Sequence, residues 1–283
     1  MKHFAYAVIL ASLLGVTTAH ADELWRTKGF KTPESVLYDG AHKRLIVSNI
    51  DGAPNKADGN GYLSLMSLDG KMIAEKWASG MDAPKGMAIA GKHLYVSDIT
   101  QLRIVDVETG KLVKSVPMEG SVFLNDITAS PEGDVYISDM MTNTIYRYHD
   151  GKPEVWLRDE KLNSPNGVLF AGDHLIVGTW GKGMKKDFTT ETPGGLITVN
   201  LKTKTITPVA HAESFGNIDG VVKAGDTIIV TDYIAGVVWR CPSGKAPEKA
   251  ATLKPGSADL GTDGAKLFIP MMNEGEVVAL PAK

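Results

Sequence analysis

The feature that most restricts the fold of this chain is a strand-like segment that recurs about every 40 residues. Its six copies are "LIVSNI" from Leu45, "LYVSDI" from Leu94, "VYISDM" from Val135, "LIVGTW" from Leu175, "IIVTDY" from Ile228 and "LFIPMM" from Leu267. Successive copies start 49, 41, 40, 53 and 39 residues apart. A period near 40 with strand-like content is typical of β-propeller blades, in which each four-stranded sheet buries its faces only against its neighbours.

Each repeat contains enough sequence for four strands. A short apolar strand such as "GVLFA" precedes the recurring segment, and segments such as "TIYRYHD" and "EVWLRD" follow it, separated by Asp-Gly, Thr-Gly or Ser-Gly turns. The connections are too short and too rich in turn residues for the helices of a TIM barrel or a Rossmann fold. The sequence therefore predicts an all-β protein, a six-bladed β-propeller.

The last repeat is one strand short. Only "EVVALPAK" follows "LFIPMM", whereas "ELWRT", Glu23–Thr27, precedes the first repeat and has no sheet of its own. We expect this N-terminal strand to complete the sixth blade and close the ring, because closure removes the exposed sheet edges that promote aggregation. The predicted propeller spans residues 22–283.

Residues 1–21 are predicted to form a secretory signal peptide. Lys2 and His3 precede the apolar run "FAYAVILASLLGV", and "AHA" before residue 22 fits the small-residue pattern of a cleavage site. An uncleaved membrane anchor is the weaker interpretation, because the run is shorter than the ~20 residues that a spanning helix needs. We therefore expect a periplasmic or secreted protein.

Charge and hydropathy limit the classes of partner. The formal net charge is −3, and the chain has no block of Lys or Arg, so nucleic acid is not an expected partner. No segment after the predicted signal is apolar enough to span a membrane. A small-molecule substrate or ligand is the expected partner.

Four of the six repeats carry an oxygen-bearing side chain near the start of the first strand. The aligned strings are "TPESVLYD", "APKGMAIA", "FLNDITAS", "SPNGVLFA", "NIDGVVKA" and "SADLGTDG", and the matching residues are Glu34, Lys85, Asn125, Asn166, Asp219 and Ala258. Since the innermost strands of a propeller line its channel, the four oxygen-bearing residues are predicted to converge at the channel mouth. Taken singly, each has a simpler explanation, because Asn and Asp before Gly are turn formers. Two carboxylates and two amides without Cys or His indicate one divalent cation, Ca²⁺ or Mg²⁺/Mn²⁺ more naturally than Zn²⁺.

These strings resemble motifs of the senescence marker protein/gluconolactonase family (regucalcin-like), to which paraoxonases are more distantly related. The resemblance rests on the Glu in "PESVLYD", the Asn-Asp in "LNDITASPEGDVYISD", "PNG" in "SPNGVLF" and "DG" in "IDGVVKAGDTIIVTD". It covers essentially the whole chain after residue 21. It implies a six-bladed propeller that hydrolyses a lactone or related ester, with one divalent cation held by Glu34, Asn125, Asn166 and Asp219. It also implies that Asp219 is catalytic and activates a water.

Two residues depart from the pattern of that family. Sugar lactonases of the family tend to carry an Arg two residues before the Asn-Asp pair, where this chain has Phe123, so a polar contact to a sugar is missing. Lys85 at a channel position could bind a substrate carboxylate, or it could pair with Glu34 or Asp219 and replace the cation. Phe123 and Lys85 are therefore the candidate substrate-binding residues.

Two further features concern the surroundings of the predicted site. "DGAPNKADGNG" from Asp51 and "GKGMKKDFTTETPGG", Gly181–Gly195, are long connections that either overhang the channel mouth or are simple surface insertions. The strand-end carboxylates Asp98, Asp139 and Asp232 are interpreted as turn caps rather than ligands.

Three functional hypotheses remain at this point. The first is a metal-dependent lactonase or esterase. The second is a non-catalytic propeller that binds a small ligand or a protein, because this architecture serves many roles. The third is a channel in which Lys85 replaces the cation.

Overall fold

The computed structural model describes residues 23–283, so the predicted signal peptide at residues 1–21 lies outside the described residues. The described chain forms six four-stranded sheets and one short two-stranded hairpin. Its one helical element is a 3-10 turn, Glu160–Leu162, and no helix of this part of the chain is long and apolar enough to cross a membrane. The all-β, six-bladed prediction is confirmed.

The six blades follow one another along the chain, and the innermost strand of each is named first in the following description. The first strand, β1 (Trp25–Lys28), belongs to blade 6. Blade 1 contains β2 (Pro33–Asp39), β3 (Arg44–Asn49), β4 (Gly61–Ser67) and β5 (Met72–Met81). Blade 2 contains β6 (Pro84–Ala90), β7 (His93–Asp98), β8 (Gln101–Asp106) and β9 (Leu112–Pro117). Blade 3 contains β10 (Leu124–Ala129), β11 (Val135–Asp139), β12 (Thr144–His149) and β13 (Lys152–Arg158).

The remaining blades include the hairpin and the closing strand. Blade 4 contains β14 (Pro165–Phe170), β15 (His174–Thr179), β18 (Leu196–Asn200) and β19 (Ile206–Pro208). The hairpin between its second and third strands is formed by β16 (Gly181–Lys182) and β17 (Thr192–Pro193). Blade 5 contains β20 (Ile218–Ala224), β21 (Thr227–Asp232), β22 (Val237–Cys241) and β23 (Glu248–Thr252). Blade 6 contains β24 (Gly261–Thr262), β25 (Lys266–Met271), β26 (Glu276–Pro281) and β1.

The N-terminal strand closes the ring, as the sequence predicts. β1 pairs antiparallel with β26, with Trp25 opposite Ala279. The Trp25 ring stacks on Phe268 at a centroid distance of 5.9 Å, and its Nε1 donates a 3.1 Å hydrogen bond to the Leu68 carbonyl of blade 1. β1 therefore completes blade 6 and also joins it to blade 1.

The hydrophobic core is divided into layers between neighbouring blades rather than concentrated in one centre. Ile46 and Leu63 of blade 1 pack with Leu94 and Val96 of blade 2, for example, and an equivalent cluster lies between every other adjacent pair. Because each sheet contributes side chains to the layers on both of its faces, no blade buries its apolar surface without both neighbours. This mutual dependence keeps the inner strands in a fixed arrangement around the channel.

Candidate metal centre

All six predicted site residues line a single cavity of about 220 Å³ at one end of the channel. Five of them are the second residue of the innermost strand of blades 1 to 5, namely Glu34, Lys85, Asn125, Asn166 and Asp219. The sixth, Phe123, directly precedes β10. The convergence expected from the aligned strings is therefore present in the fold.

A β-bulge sets the direction of the side chain at the second residue of each of these five innermost strands. In β14 the pairing with β15 shifts between Pro165 and Val168, so Asn166 and Gly167 together lie opposite the single residue Gly178. The same shift occurs at the equivalent place in β2, β6, β10 and β20. A bulge leaves the extra residue out of the ladder and redirects its side chain. Repetition of the bulge in five blades directs five side chains to one point.

Hydroxyl groups opposite three of the bulges, on Ser97, Ser138 and Thr231, link their blade to the next. The backbone N–H of Asp126 donates to Ser138 Oγ at 3.0 Å, and that hydroxyl donates to the carbonyl oxygen of Asn166 at 2.7 Å. In blade 5, Thr231 Oγ1 accepts from Gly220 N at 2.9 Å and donates to the Ala258 carbonyl at 2.8 Å. The backbone of one site residue is thus held by the preceding blade. The Ser or Thr before the strand-end residue was the sequence signal for this, and sequence reasoning did not use it.

Glycine follows the site residue in three blades because the blades approach each other most closely there. A Cβ on Gly167 would lie 2.3 Å from the Asp219 carbonyl oxygen, and one on Gly86 would lie 2.5 Å from Asp126 Cα. Real Cβ atoms do not approach backbone so closely. The "NG" and "DG" pairs of the sequence therefore serve blade packing, whereas the preceding Asn or Asp faces the cavity.

Each of the four candidate ligands has a buried side-chain oxygen with no hydrogen-bond partner in the described structure. These atoms are Glu34 Oε2, Asn125 Oδ1, Asn166 Oδ1 and Asp219 Oδ1. The four residues are at most 5% exposed. A buried polar atom without a partner costs about 1–3 kcal/mol, so four converging acceptors call for a common partner. A hard cation satisfies carboxylate and amide oxygens together, so the donor set fits a divalent metal ion.

The two buried carboxylates favour binding of a positive charge in the cavity. Burial raises the pKa of Glu34 well above its usual range, and the nearby Asp219 and Asp259 carboxylates raise it further. Burial also raises the pKa of Asp219, and Asp259 adds to the shift. Both shifts express the cost of two negative charges in a place with little water.

Lys85 is buried but does not neutralise these carboxylates directly. Its Nζ donates a 3.0 Å hydrogen bond to the Ala83 carbonyl and lies 4.6 Å from the centroid of the Phe123 ring. Within residues 23–283 its ammonium forms no ion pair with a carboxylate at 4.0 Å or less. Burial lowers the pKa of Lys85 to about 8, and the Glu34 carboxylate opposes that shift.

The donor set contains few anionic ligands. Within the part of the chain that the structure describes, no three His, Cys, Asp or Glu side chains come together as a metal-binding group. A cation held at the channel mouth would depend on the amide oxygens of Asn125 and Asn166 as much as on the two carboxylates. Amide and water oxygens are ligands that Ca²⁺ accepts readily.

The strand-end carboxylates are turn caps, as interpreted from the sequence. Asp139 accepts hydrogen bonds from the backbone N–H groups of Val122 at 2.7 Å and Met141 at 3.1 Å. Asp98 accepts from Ala83 N at 2.6 Å, and Asp232 accepts from Ala235 N at 3.1 Å. These carboxylates hold the loops that lead into the inner strands and do not line the cavity.

Two buried carboxylates deeper in the channel were missed by sequence reasoning. Asp126 Oδ2 accepts a 2.7 Å hydrogen bond from Val168 N in the neighbouring blade, and its Oδ1 accepts from Ile127 N at 2.7 Å. Asp259 accepts a 2.5 Å hydrogen bond from Ser35 Oγ. Both residues tie adjacent inner strands together behind the candidate ligands. The Asp of "LND" was visible in the sequence, but only its Asn neighbour was considered.

The apolar wall of the cavity was also missed, although its sequence signal is periodic. The last residue of the recurring six-residue segment lines the cavity in five of the six repeats, as Ile50, Met140, Trp180, Tyr233 and Met272. Both long connections reach the cavity as well, through Pro54 of the first and through Asp187 and Phe188 of the second. The two connections are therefore parts of the cavity wall and not remote surface insertions.

Comparisons with known proteins find similar structures but no similar sequence. No protein-family model matches this chain, and no curated protein matches it by sequence. Its fold is similar to that of a proposed gluconolactonase, with a TM-score of 0.65, 17% identity and coverage of 94% of this chain and 92% of that one. Virginiamycin B lyase from Staphylococcus aureus has a TM-score of 0.62 at 16% identity, covering 92% of this chain and 99% of the lyase.

A third similar structure comes from a chain of the nidogen/laminin complex. It has a TM-score of 0.60 at 17% identity, and the match covers 80% of this chain and 81% of that one. The three similar chains come from unrelated kinds of protein but share one architecture. At these identities the comparisons show a shared propeller fold, and a fold does not determine function.

Proposed function

We propose that this protein is a divalent-metal-dependent hydrolase of a lactone or related ester, located in the periplasm or secreted. The observation that carries the proposal is the set of four converging buried oxygens without partners, on Glu34, Asn125, Asn166 and Asp219. The resemblance of their motifs to those of the gluconolactonase family supports the same conclusion. The fold comparison with a proposed gluconolactonase is consistent with it.

These four residues would hold one divalent cation, with Ca²⁺ as the first choice. When bound, the cation would polarise the carbonyl of the ester and stabilise the negative charge that develops on its oxygen. Asn125 and Asn166 would contribute neutral oxygens. Glu34 and Asp219 would therefore be the two ligands that balance the charge of the divalent cation. The bulges and the hydrogen bonds between blades fix the backbone near the ligands. The ligand oxygens would therefore be in position before a cation binds.

Asp219 has the role of general base. A carboxylate loses basicity when a dication binds it, so Asp219 would use the oxygen that is not engaged with the cation to accept a proton from water. Asp219 lines the cavity, so the proton acceptor would lie inside it. Glu34 remains a ligand.

Lys85 would orient the substrate. An ammonium group has three N–H donors, and among residues 23–283 the Lys85 Nζ donates one hydrogen bond, to the Ala83 carbonyl. Its remaining donors are available to a carbonyl or carboxylate of a substrate in the cavity. Its contact with Phe123 keeps the charge beside the candidate ligands instead of among them.

Two measurements test this proposal. The full-length exported protein is stripped with a chelator, and uptake of Ca²⁺, Mg²⁺, Mn²⁺ and Zn²⁺ is followed by calorimetry and by elemental analysis. A panel of lactones and esters is then assayed with a pH indicator, which reports the acid released by hydrolysis. We expect one divalent ion per chain and hydrolysis that depends on it. A protein that takes up no ion at millimolar concentration, or that hydrolyses nothing in the panel when loaded, contradicts the proposal.

A further inference from the structure

Part of the wall of the cavity that the candidate ligands line is aromatic. Phe123 and Phe188 lie with ring centroids 6.3 Å apart, and Trp180 and Tyr233 lie 5.6 Å apart. Phe123, Trp180 and Met140 form a buried apolar cluster against which Phe188 and Tyr233 pack. These side chains come from three blades and one long connection, so the wall exists only in the folded protein.

The connection that carries Phe188 is fixed over the cavity. Trp180 Nε1 donates a 2.8 Å hydrogen bond to the Phe188 carbonyl oxygen. From blade 5, Asn217 Nδ2 donates to the Trp180 carbonyl at 2.6 Å and to Thr190 Oγ1 at 2.9 Å. The β16–β17 pairing closes the base of the connection.

Phe188 has a backbone conformation that is unusual for an aromatic residue. Its φ is +63°, in the left-handed region that bulky side chains rarely adopt. Such a conformation persists only where surrounding contacts hold it, and it is concentrated at ligand-binding positions. Here the hydrogen bond from Trp180 and the packing of the ring against Phe123 hold it.

The cavity offers few polar partners besides the candidate ligands and Lys85. Among the described residues that line it, Asp187 is solvent-exposed, and the Tyr233 hydroxyl is engaged with Met272 Sδ at 3.4 Å. A sugar lactone carries a hydroxyl group on most of its carbons, and each one loses hydration on entering the cavity. Burying hydroxyl groups against an aromatic wall without hydrogen bonds is costly.

We infer that the site binds a lactone or ester with an alkyl or aryl substituent, with the substituent against the Phe123–Trp180–Phe188–Tyr233 wall, in preference to a polyhydroxylated sugar lactone. The identity of the reacting group rests on the proposed function above. The apolar preference rests on the wall alone. Phe188 is then a residue that determines specificity.

Binding of inert lactams tests the preference independently of hydrolysis, because an amide resists the reaction. Calorimetry on the Ca²⁺-supplemented full-length protein compares 2-pyrrolidinone, 5-hexyl-2-pyrrolidinone and glucono-1,5-lactam. Each methylene buried improves affinity about fourfold. We expect the hexyl compound to bind at least tenfold more tightly than 2-pyrrolidinone, and the glucono compound to gain nothing. Tighter binding of glucono-1,5-lactam than of the hexyl compound would overturn the inference.

Substitutions at Phe188 show whether the wall is responsible. Phe188→Ala is expected to remove most of the hexyl advantage without changing Ca²⁺ affinity, and Phe188→Leu is expected to keep most of it. Phe170→Ala is the matched control, because Phe170 is also half-buried but lies outside the cavity. An unchanged hexyl advantage in Phe188→Ala contradicts the assignment.

The two proposals fail in different ways. If the hexyl lactam binds with the expected dependence on Phe188 while no ester is hydrolysed, the hydrolase proposal fails and the apolar preference stands. If the loaded protein hydrolyses gluconolactone faster than alkyl lactones, the hydrolase proposal stands and the apolar preference fails.

Discussion

The ammonium group of Lys85 lies 4.6 Å from the centroid of the Phe123 ring and is hydrogen-bonded to a backbone carbonyl. The aromatic face and that carbonyl stabilise the ammonium group without using any of the four candidate-ligand oxygens that have no partner in the described chain. Phe123 would thus allow a lysine and the proposed metal site to share one channel mouth. This arrangement supports a bound divalent cation over replacement of the cation by Lys85.

Replacing Lys85 by Met tests this division of roles. Met retains apolar packing against Phe123 and removes the charge, so we expect the KM for an acidic ester to rise about tenfold, the effect of losing one charged hydrogen bond. The KM for a neutral ester of similar size should change little. Ca²⁺ affinity should stay equal or rise slightly, because two cations in a poorly hydrated cavity repel each other.

Lys76→Met is the matched control for that substitution. Lys76 also lies over an aromatic ring, with its Nζ 4.5 Å from the Tyr62 centroid, but it is outside the cavity. It should leave both KM values unchanged. If the wild-type protein takes up no divalent ion at millimolar concentration while Lys85→Met does, the lysine occupies the place of the cation.

The isosteric change Asp219→Asn separates metal binding from stability. Removing one of two anionic ligands should weaken Ca²⁺ binding by roughly a hundredfold or more, since breaking a buried charge pair costs about 3–5 kcal/mol. The cation-free protein should become more stable, because one buried carboxylate without a partner is gone. Each kcal/mol should raise its melting temperature by about 2–4 °C. Calorimetric titration and thermal unfolding measure the two effects.

Asp139→Asn is the control for the previous substitution and should give the opposite pattern. The Asp139 carboxylate accepts backbone hydrogen bonds from Val122 in the loop before β10 and from Met141 in the turn after its own strand, so a side-chain amide there loses an acceptor and lowers the melting temperature. Ca²⁺ affinity should remain unchanged. If the two Asn variants behave alike, the assignment of Asp219 to the cavity and of Asp139 to the turn is wrong.

Gly167→Ala tests whether close contact between blades positions the ligands. The added Cβ would lie 2.3 Å from the Asp219 carbonyl oxygen, so blades 4 and 5 must separate at the point where Asn166 and Asp219 meet. We expect a loss of about 1–3 kcal/mol in urea unfolding, together with weaker Ca²⁺ binding. Gly40→Ala is the control, since its nearest neighbour is Tyr38 Cε1 at 3.4 Å. Equal stability of the two variants would argue against this packing role.

Deleting residues 23–27 tests closure of the ring. The deletion removes Trp25 and the first part of β1, which exposes the edge of β26 and breaks the hydrogen bond to the Leu68 carbonyl of blade 1. Because every blade depends on both neighbours, we expect the whole domain to melt at a clearly lower temperature. Calorimetry against a variant that lacks only residues 1–21 measures the effect. An unchanged melting temperature would contradict closure by β1.

The architecture and the positions of the candidate ligands were predictable because both are encoded with the period of the repeat. The spacing of the recurring segments indicated six blades, and a position 9 to 11 residues before those segments selected Glu34, Asn125, Asn166 and Asp219. Closure followed from a missing strand at one end and a surplus strand at the other. A strand in a propeller occupies one place in its blade, so its position in the repeat implies its position in space.

Other features depended on contacts between blades, which local sequence does not specify. The strings "LND" and "VTD" contain Asp126 and Thr231, but only the fold shows that their side chains bond to the neighbouring blade. The aromatic wall likewise combines two ends of recurring segments, Trp180 and Tyr233, with Phe123 before β10 and with Phe188 of an insertion. Periodicity marked the segment ends, whereas the insertion lies outside the repeat and has no counterpart from which to infer its place.

By itself, the sequence determined the propeller, its closure and which side chains face the channel mouth, because repeat register and strand alternation act over short stretches of chain. The tertiary structure alone decided that four side-chain oxygens would be left without partners, that the Lys85 ammonium would lie over Phe123, and that the cavity wall would be aromatic. These outcomes depend on side-chain torsions and on the packing of residues far apart in sequence. Such contacts are set by the arrangement of all six blades at once, so no single repeat contains them.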